Sequence, residues 1–450
     1  MSEYKPFIFK LDGGDNKLLD RPVTKKDVVL LPIISYPLLQ LGYHYFIHRT
    51  KDSMKRTKQL ESKAKFYYIV NPFEHIISNN EEDLTTDTKK FFNMKSDDPE
   101  ILSRSFYKMW EILMYFDISS KKDLNYAALA EGPGSFLQAV IKFRERYKYD
   151  LKKDKYFGVS ILPEREGKID MAKQFLGHYD NKYPDLINMQ KVYPTETANK
   201  FKGKSDGDIT KVKTISIFKK EISKSKKFAD LITADGEYDW PDENFKEQES
   251  YQLILGEFIA AIRVQNNKGS FVLKLFETFT MVSLKIVYLI SSFYEESYIC
   301  KPLFSRSSSS EKYLICKGFK YDQVKDSKIL EKKIKNLEEI LEMLDSKEYL
   351  QDLYPELVLP DKFIEDFKYI NISISNDQQI MINKIIMYID GNNYYGEEYH
   401  NFKNESIKAT KWWNSRFFKE KNDLNYNQNY TKTVSLYNMK EKQIYFNESI

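Results

Sequence analysis

The stretch from residue 100 to about 320 predicts an α/β domain built on a mostly parallel sheet. Three observations carry that expectation. Short apolar runs alternate with segments whose apolar residues recur every three to four positions, so strands alternate with helices. One strand runs into a glycine turn, Glu131-Gly-Pro-Gly-Ser-Phe136, and then into helical residues. The last two apolar runs are separated only by a serine-rich loop, which implies a terminal antiparallel hairpin.

The elements follow in order. SRSFYKMWEILMYF reads as a helix, with Phe106, Met109, Trp110, Leu113 and Met114 on one face. NYAALA (Asn125–Ala130) is a buried strand, and the helical LQAVIKFRERY follows its turn. KYFGVSIL is a second strand. FADLITADG (Phe228–Gly236) is a third, preceded at some distance by the loop SDGDITKV. SYQLILGEFIAAIRVQ is a helix closed by Asn266-Asn-Lys-Gly269 at a C-cap position. SFVLKLF is a strand, MVSLKIVYLISSFY a helix, and SYICKP and KYLICKGF are the final two strands.

The flanks differ. Residues 1–95 read as an N-terminal extension, with an apolar piece at Val28–Leu41 broken by Pro32 and Pro37. A basic stretch, Lys51–Tyr68, reads equally as a nucleic-acid-facing surface and as a solvated helix face. A polar linker, Asn79–Lys90, leads into the central unit at 96–322. Residues 323–450 are expected to hold an amphipathic helix, with Leu330, Ile334, Leu337, Leu341 and Leu344 on its seam, and then a small α+β addition. After Pro360 the chain is rich in Asn and Tyr and reads as short strand-like pieces.

Composition narrows the function classes. The 450 residues are 42% hydrophobic and 15% aromatic, enough for a sizeable core. Net charge is only +4, so any nucleic-acid surface must be a local patch. Two cysteines, Cys300 and Cys316, make neither a disulfide framework nor a four-ligand zinc site. The five histidines read as scattered without ligand spacing, so a metal-free mechanism and a reducing, cytoplasmic setting are expected. The N-terminus lacks a basic-then-apolar signal pattern. The most apolar stretches are too short and too polar to span a membrane.

Five places can carry chemistry, and each has a bland reading beside it. The turn ALAEGPGSF points backbone N–H groups and a helix N-terminus at a ligand, with Gly132 and Gly134 allowing close approach. Gly-Pro-Gly turns are also common without a ligand, and Phe136 can pack on ligand or core. Asp235 ends a buried strand, where ligands of open α/β sheets bind, or where an Asp merely caps a turn. Lys274 interrupts the apolar strand SFVLKLF, which is costly unless it is paired or reaches water. Glu311 opens a strand after the serine-rich loop and, taken singly, is a surface residue. Lys108 in SRSFYKMWEI is, taken singly, a solvated helix lysine.

Together these five resemble, in order and in local context, the FtsJ-like ribose 2′-O-methyltransferases. SRSFYKMWEI resembles that family's opening helix, EGPGSF its cofactor turn, ADG its central Asp, FVLKLF its Lys strand, and SRSSSSEKYLICKGF the segment bearing its Glu. The style is closest to the cap methyltransferases of eukaryotes and large cytoplasmic DNA viruses. The resemblance covers roughly residues 100–320 and implies a Rossmann-like domain with a seven-stranded sheet. It implies S-adenosylmethionine as methyl donor, bound by Gly132, Gly134, Ser135, Phe136, Ser160, Asp208 and Asp235. It implies catalysis by Lys108, Asp235, Lys274 and Glu311, with no metal and no membrane. The chain departs from the family at Ala128, where an acid is common, and at Ser160, where another is; Glu131 and Glu164 lie nearby.

In this reading Lys274 is the base. Lys108 and partial desolvation would lower its pKa, Asp235 and Glu311 would orient the amines, and a carboxylate close to Lys274 would oppose the drop, so the sequence leaves that balance open. The added length around the central unit favours the 5′ end of capped mRNA as substrate over ribosomal or transfer RNA. A non-catalytic RNA-binding or virion structural subunit is the reading from a different class, and the complete tetrad opposes it. Trp110, Trp240, Trp412 and Trp413 are the candidates for stacking on bases, with core the default for Trp110.

Overall fold

The computed structural model describes residues 4–37, 39–60, 71–77, 82–162, 173–193, 205–225, 227–237, 242–392, 396–421 and 424–447. Its strands are β1 (Phe7–Leu11), β2 (Val28–Leu31), β3 (Asn125–Leu129), β4 (Lys155–Val159), β5 (Ile187–Met189), β6 (Ala229–Ala234), β7 (Gln265–Leu275), β8 (Tyr294–Lys301), β9 (Lys312–Phe319) and β10 (Tyr349–Leu353). Its helices are α1 (Leu41–Asp52), α2 (Glu82–Phe91), α3 (Ser105–Phe116), α4 (Ser135–Arg146), α5 (Lys173–Lys182), α6 (Val212–Ser223), α7 (Lys246–Glu249), α8 (Tyr251–Val264), α9 (Met281–Ser292), α10 (Ser327–Met343), α11 (Asp361–Gly391), α12 (Glu397–Phe417) and α13 (Leu424–Asn447).

Eight strands form one sheet in the order β1-β8-β9-β7-β6-β3-β4-β5. The run β5-β4-β3-β6-β7 is parallel, and β9, β8 and β1 are antiparallel neighbours beyond it. Alternate strand residues face opposite sides, so the two faces bury separate cores. Ala127, Leu129, Ile232, Phe271 and Leu273 pack under α6, α8, α9, α10 and part of α11. Tyr126, Ala128, Leu231, Val272 and Tyr313 pack under α3 and α4, together with Trp413, Phe417 and Val434 from the C-terminal helices. Among the described residues no helix is long and apolar enough to cross a membrane.

The α/β class stands, with corrections to its parts. The sheet has eight strands where seven were expected, because Phe7–Leu11 adds β1 to the open edge of β8. Asn266–Gly269 is no helix cap: α8 runs straight into β7, and Lys268 takes the left-handed turn (φ 62°). The polar linker contains α2. The strand-like pieces expected after Pro360 are helices. Asn and Ile have middling helix propensity, but Phe363, Phe367, Ile370 and Ile374 form a stripe at helical spacing that the core buries, and burial outweighs local preference. Among the described residues the one strand of the C-terminal addition, β10, pairs with β2 of the N-terminal extension.

Both additions wrap the sheet domain. Asn438 Nδ2 donates to Ile8 O, Trp110 Nε1 to Phe417 O and Trp413 Nε1 to Glu111 Oε1. Trp110 and Trp413 are therefore core residues and cannot stack on bases, and Trp412 is half-buried against Tyr4 and Phe73. Trp240 lies outside the described residues. In the basic stretch, Lys51, Lys55 and Arg56 each pair with an acid, and residues 61–68 lie outside the described part.

Candidate active site

The strand order reverses at β3, with β4 and β5 on one side and β6 and β7 on the other. In such sheets the crevice outside the carboxyl ends at the reversal is the ligand site. β3, β4 and β6 end level there, Leu129 lying beside both Val159 and Ala234. The chain leaves β3 through Ala130 (φ 53°) and enters α4 through Gly134 (φ 109°), a backbone that glycine adopts at little cost. Glu131 folds beneath this turn, and its Oε1 accepts from the N–H groups of Phe136 and Leu137 at 3.0 and 3.3 Å. Burial pushes its carboxyl up to about 8. Ser135 Oγ lies 2.8 Å from Ser103 Oγ. Phe136 is core, its ring centroid 5.9 Å from that of Tyr313.

The four expected catalytic residues come together. Lys274 and Tyr313 are direct cross-strand partners on β7 and β9, so they share a face. Glu311 lies two residues before Tyr313, and α3 covers this face with Lys108. Lys108 Nζ is 2.7 Å from Glu311 Oε1. Lys274 Nζ is 3.3 Å from Asp235 Oδ1 and donates to Asp235 O at 3.0 Å. The Tyr313 hydroxyl stands 3.2 Å from both Asp235 Oδ1 and Glu311 Oε1, joining the two ion pairs. The lysine side chains are each 4% exposed, Glu311 13% and Asp235 18%, so solvent reaches the cluster mainly at its two carboxylates.

The electrostatics correct the expected role of Lys108. Its ammonium pairs with Glu311, and the charge around Lys274 is dominated by carboxylates. Burial pulls the Lys274 ammonium down, but Asp235, Glu237 and Glu311 outweigh it and hold its pKa above the ordinary value. Burial likewise pushes Glu311 up, and Lys108 and Lys274 more than reverse that, so it stays ionised.

Several participants escape the sequence reading. Glu237 Oε2 is 3.1 Å from Lys274 Nζ. Tyr313 could have been found, because it alternates in phase with Glu311. Glu257 of α8 accepts from Gly236 N–H at 3.0 Å and so fixes the backbone that aims Asp235. Lys301 is buried, with its pKa lowered to about 7 by that burial. It donates to Ser309 O and Glu311 O, which holds the serine-rich loop in place.

Of the remaining expected cofactor positions, Ser160 and Asp208 lie on touching loops. Gly207 (φ 84°) sits so close that a Cβ there would meet Ser160 O at 2.0 Å. Asp208 Oδ1 accepts from Thr210 N and Oγ1, so that oxygen serves a local turn. Ala128 is buried inside β3 and offers no acid. Glu164 lies outside the described residues.

Residues 101–319 match the model of the FtsJ-like methyltransferase family. The cap-specific mRNA (nucleoside-2′-O-)-methyltransferase 1 of Trypanosoma cruzi is 28% identical over 214 residues, covering 47% of this chain and 52% of that protein. Proteins of the same name from Bos taurus (30% identical, 45% of this chain, 22% of that protein) and Homo sapiens (36%, 27% and 15%) also match. The chain thus spans about half the length of the trypanosome relative and less of the vertebrate ones, and none of these three is viral. The solved structure of a putative ribosomal RNA methyltransferase from Plasmodium falciparum matches 48% of this chain and 97% of its own at 18% identity, with a TM-score of 0.33. On the family match, together with the strand order and the lysine–carboxylate cluster at its reversal, residues 101–319 of this chain are an FtsJ-like methyltransferase domain.

Proposed function

We propose that this chain methylates a ribose 2′-hydroxyl of RNA with S-adenosylmethionine as donor, at a nucleotide next to the mRNA cap. The observation that carries the reading is the closed network Lys108–Glu311–Tyr313–Asp235–Lys274 beside the glycine turn of β3. The printed names of the relatives support the cap as the substrate feature.

The residues present fit the donor. Burial and the nearby Asp235 push the Glu131 and Glu257 carboxyls up to about 8, so both keep their protons near neutrality, and the Asp235 carboxylate is the charge that suits a cationic ligand. Gly132, Gly134 and Ser135, at the positive end of α4, would hold it, with Ser160 and Asp208 on the neighbouring loops and Asp235 across the crevice. When bound, S-adenosylmethionine supplies an already activated methyl group, which leaves positioning and proton removal to the protein.

Lys274 is the base of this scheme. As an ammonium it orients the 2′-oxygen by donating a hydrogen bond; once it has released that proton to solvent, it can take the hydroxyl proton as the 2′-oxygen forms its bond to the transferred methyl group. Asp235 and Glu237 hold its Nζ in place, and Tyr313 ties Asp235 to the Lys108–Glu311 pair. Both cysteines are free and buried, in keeping with a reducing compartment, and the proposed setting is the cytoplasm. The test is methyl transfer to matched capped and uncapped short RNAs. Labelling is expected on the ribose 2′-oxygen of the capped RNA alone; equal labelling of both would overturn the cap assignment.

A further inference from the structure

Two residues past the end of β7, away from the methyl-transfer cluster, three metal-ligating side chains converge. His44 and His48 lie one turn apart on α1, their ring centroids 4.0 Å apart. Glu277 faces them from the loop after β7. All three are buried, at 3%, 7% and 5% exposure, and one ligand atom from each lies within 4.8 Å of the other two. Two imidazoles and a carboxylate, with the histidines at i and i+4 of a helix, are a zinc-type ligand set.

The hydrogen bonding at this point leaves one buried imidazole nitrogen unpaired among the described residues. His48 Nδ1 lies 2.5 Å from Asn244 Oδ1, an acceptor, so Nδ1 carries the proton. Nε2 faces Glu277 Oε2 at 2.8 Å, a pair that needs either a second ring proton or a bound cation between the two atoms. His44 Nε2 is buried with no hydrogen-bond partner among the described residues, a costly state for an imidazole nitrogen. Lys51 occupies the other carboxylate oxygen, Oε1, and leaves Oε2 to the histidines. Phe279 stands edge-on to the His44 ring and closes that side.

We propose that His44 Nε2, His48 Nε2 and Glu277 Oε2 bind one divalent transition-metal ion, zinc by ligand type. Tetrahedral zinc with bonds of about 2.0–2.1 Å sets its ligand atoms about 3.4 Å apart. The 2.8 Å pair and the 4.8 Å limit of the group bracket that spacing, so small side-chain rotations close the site. Asn244 fixes the His48 tautomer, as groups behind a metal-bound histidine commonly do. No fourth protein ligand completes the group among the described residues, which leaves one position for water. The ion pins the N-terminal helix α1 to the chain three residues beyond Lys274.

The test uses the full chain without a histidine tag, stripped with a chelator, dialysed and titrated with Co2+ and then Zn2+. About one equivalent is expected, with the visible absorption of four-coordinate Co2+ lost as zinc displaces it. His44→Ala/His48→Ala is expected to abolish binding, and Asn244→Ala to weaken it roughly 10- to 100-fold. S-adenosylmethionine binding by calorimetry reports that each variant is folded. If the wild-type chain takes up neither ion at micromolar concentration, the gap holds only a proton and the proposal fails; that measurement needs no variant. Undiminished binding by a folded double variant would equally overturn it.

Discussion

Lys274→Met changes both a rate and a stability, and the structure sets the size of each. The Lys274 side chain is 4% exposed, with carboxylate oxygens of Glu237 and Asp235 at 3.1 and 3.3 Å. At an effective dielectric near 20 each contact is worth roughly 5 kcal/mol before desolvation. Glu237 is half exposed, so solvent removes most of its share. Asp235, at 18%, keeps more. Returning the ammonium to water on unfolding offsets much of the rest, and a net loss of about 2–3 kcal/mol is expected. A base whose folded pKa is raised contributes all of its stability below its unfolded pKa and loses it only as pH climbs through the folded one. The deficit of the variant is therefore constant from neutral pH to ~pH 10. Loss of a general base lowers the rate by about 10²–10⁴. Because the ammonium is held above its ordinary value, the wild-type rate should climb about tenfold per pH unit and not level off below ~pH 9. The assay is transfer of labelled methyl to a capped oligoribonucleotide across that range, beside thermal melting. A plateau near neutrality, or a variant within about tenfold of wild type, would refute the reasoning.

Three further outcomes follow from the same geometry. Tyr313→Phe deletes the hydroxyl between Asp235 and Glu311 and should slow turnover roughly 10- to 100-fold through misplacement, with chemical denaturation moving by no more than about 1 kcal/mol; an unchanged turnover number would remove Tyr313 from the network. Glu257 has its carboxyl raised to about 8 by burial, so the folded state holds its proton longer than the unfolded chain. Its stability is full below the unfolded pKa and is lost as pH rises through 8. Glu257→Gln should remove a few kcal/mol of that fall, and parallel urea-midpoint-against-pH curves for the two proteins would contradict it. Trp413→Ala empties a fully buried site and strips a donor from Glu111, costing about 3–5 kcal/mol; an unchanged melting temperature would show that α12 does not cover α3.

The alternation of apolar strands and amphipathic helices was enough to predict the α/β class, because both periods are local. The positions of Lys108, Asp235, Lys274 and Glu311 were legible for a related reason: each sits in a recognisable stretch, and Lys274 breaks an apolar strand at a cost that demands partners. Their partners were not legible. Lys108 read singly as a solvated lysine, and only its burial beneath Glu311 shows it spent on that pair and not on Lys274. The charge state of Lys274 depended on how many carboxylates would surround it, and Glu237 reaches it from a strand end 37 residues away. The helices after Pro360 were hidden because Asn- and Ile-rich segments have no strong preference of their own; burial against the sheet decided them. His44 and His48 were on view at four-residue spacing throughout, yet two histidines on a helix say little until a third ligand is seen. Glu277 stands 229 residues from His48, and only the tertiary fold could set it there.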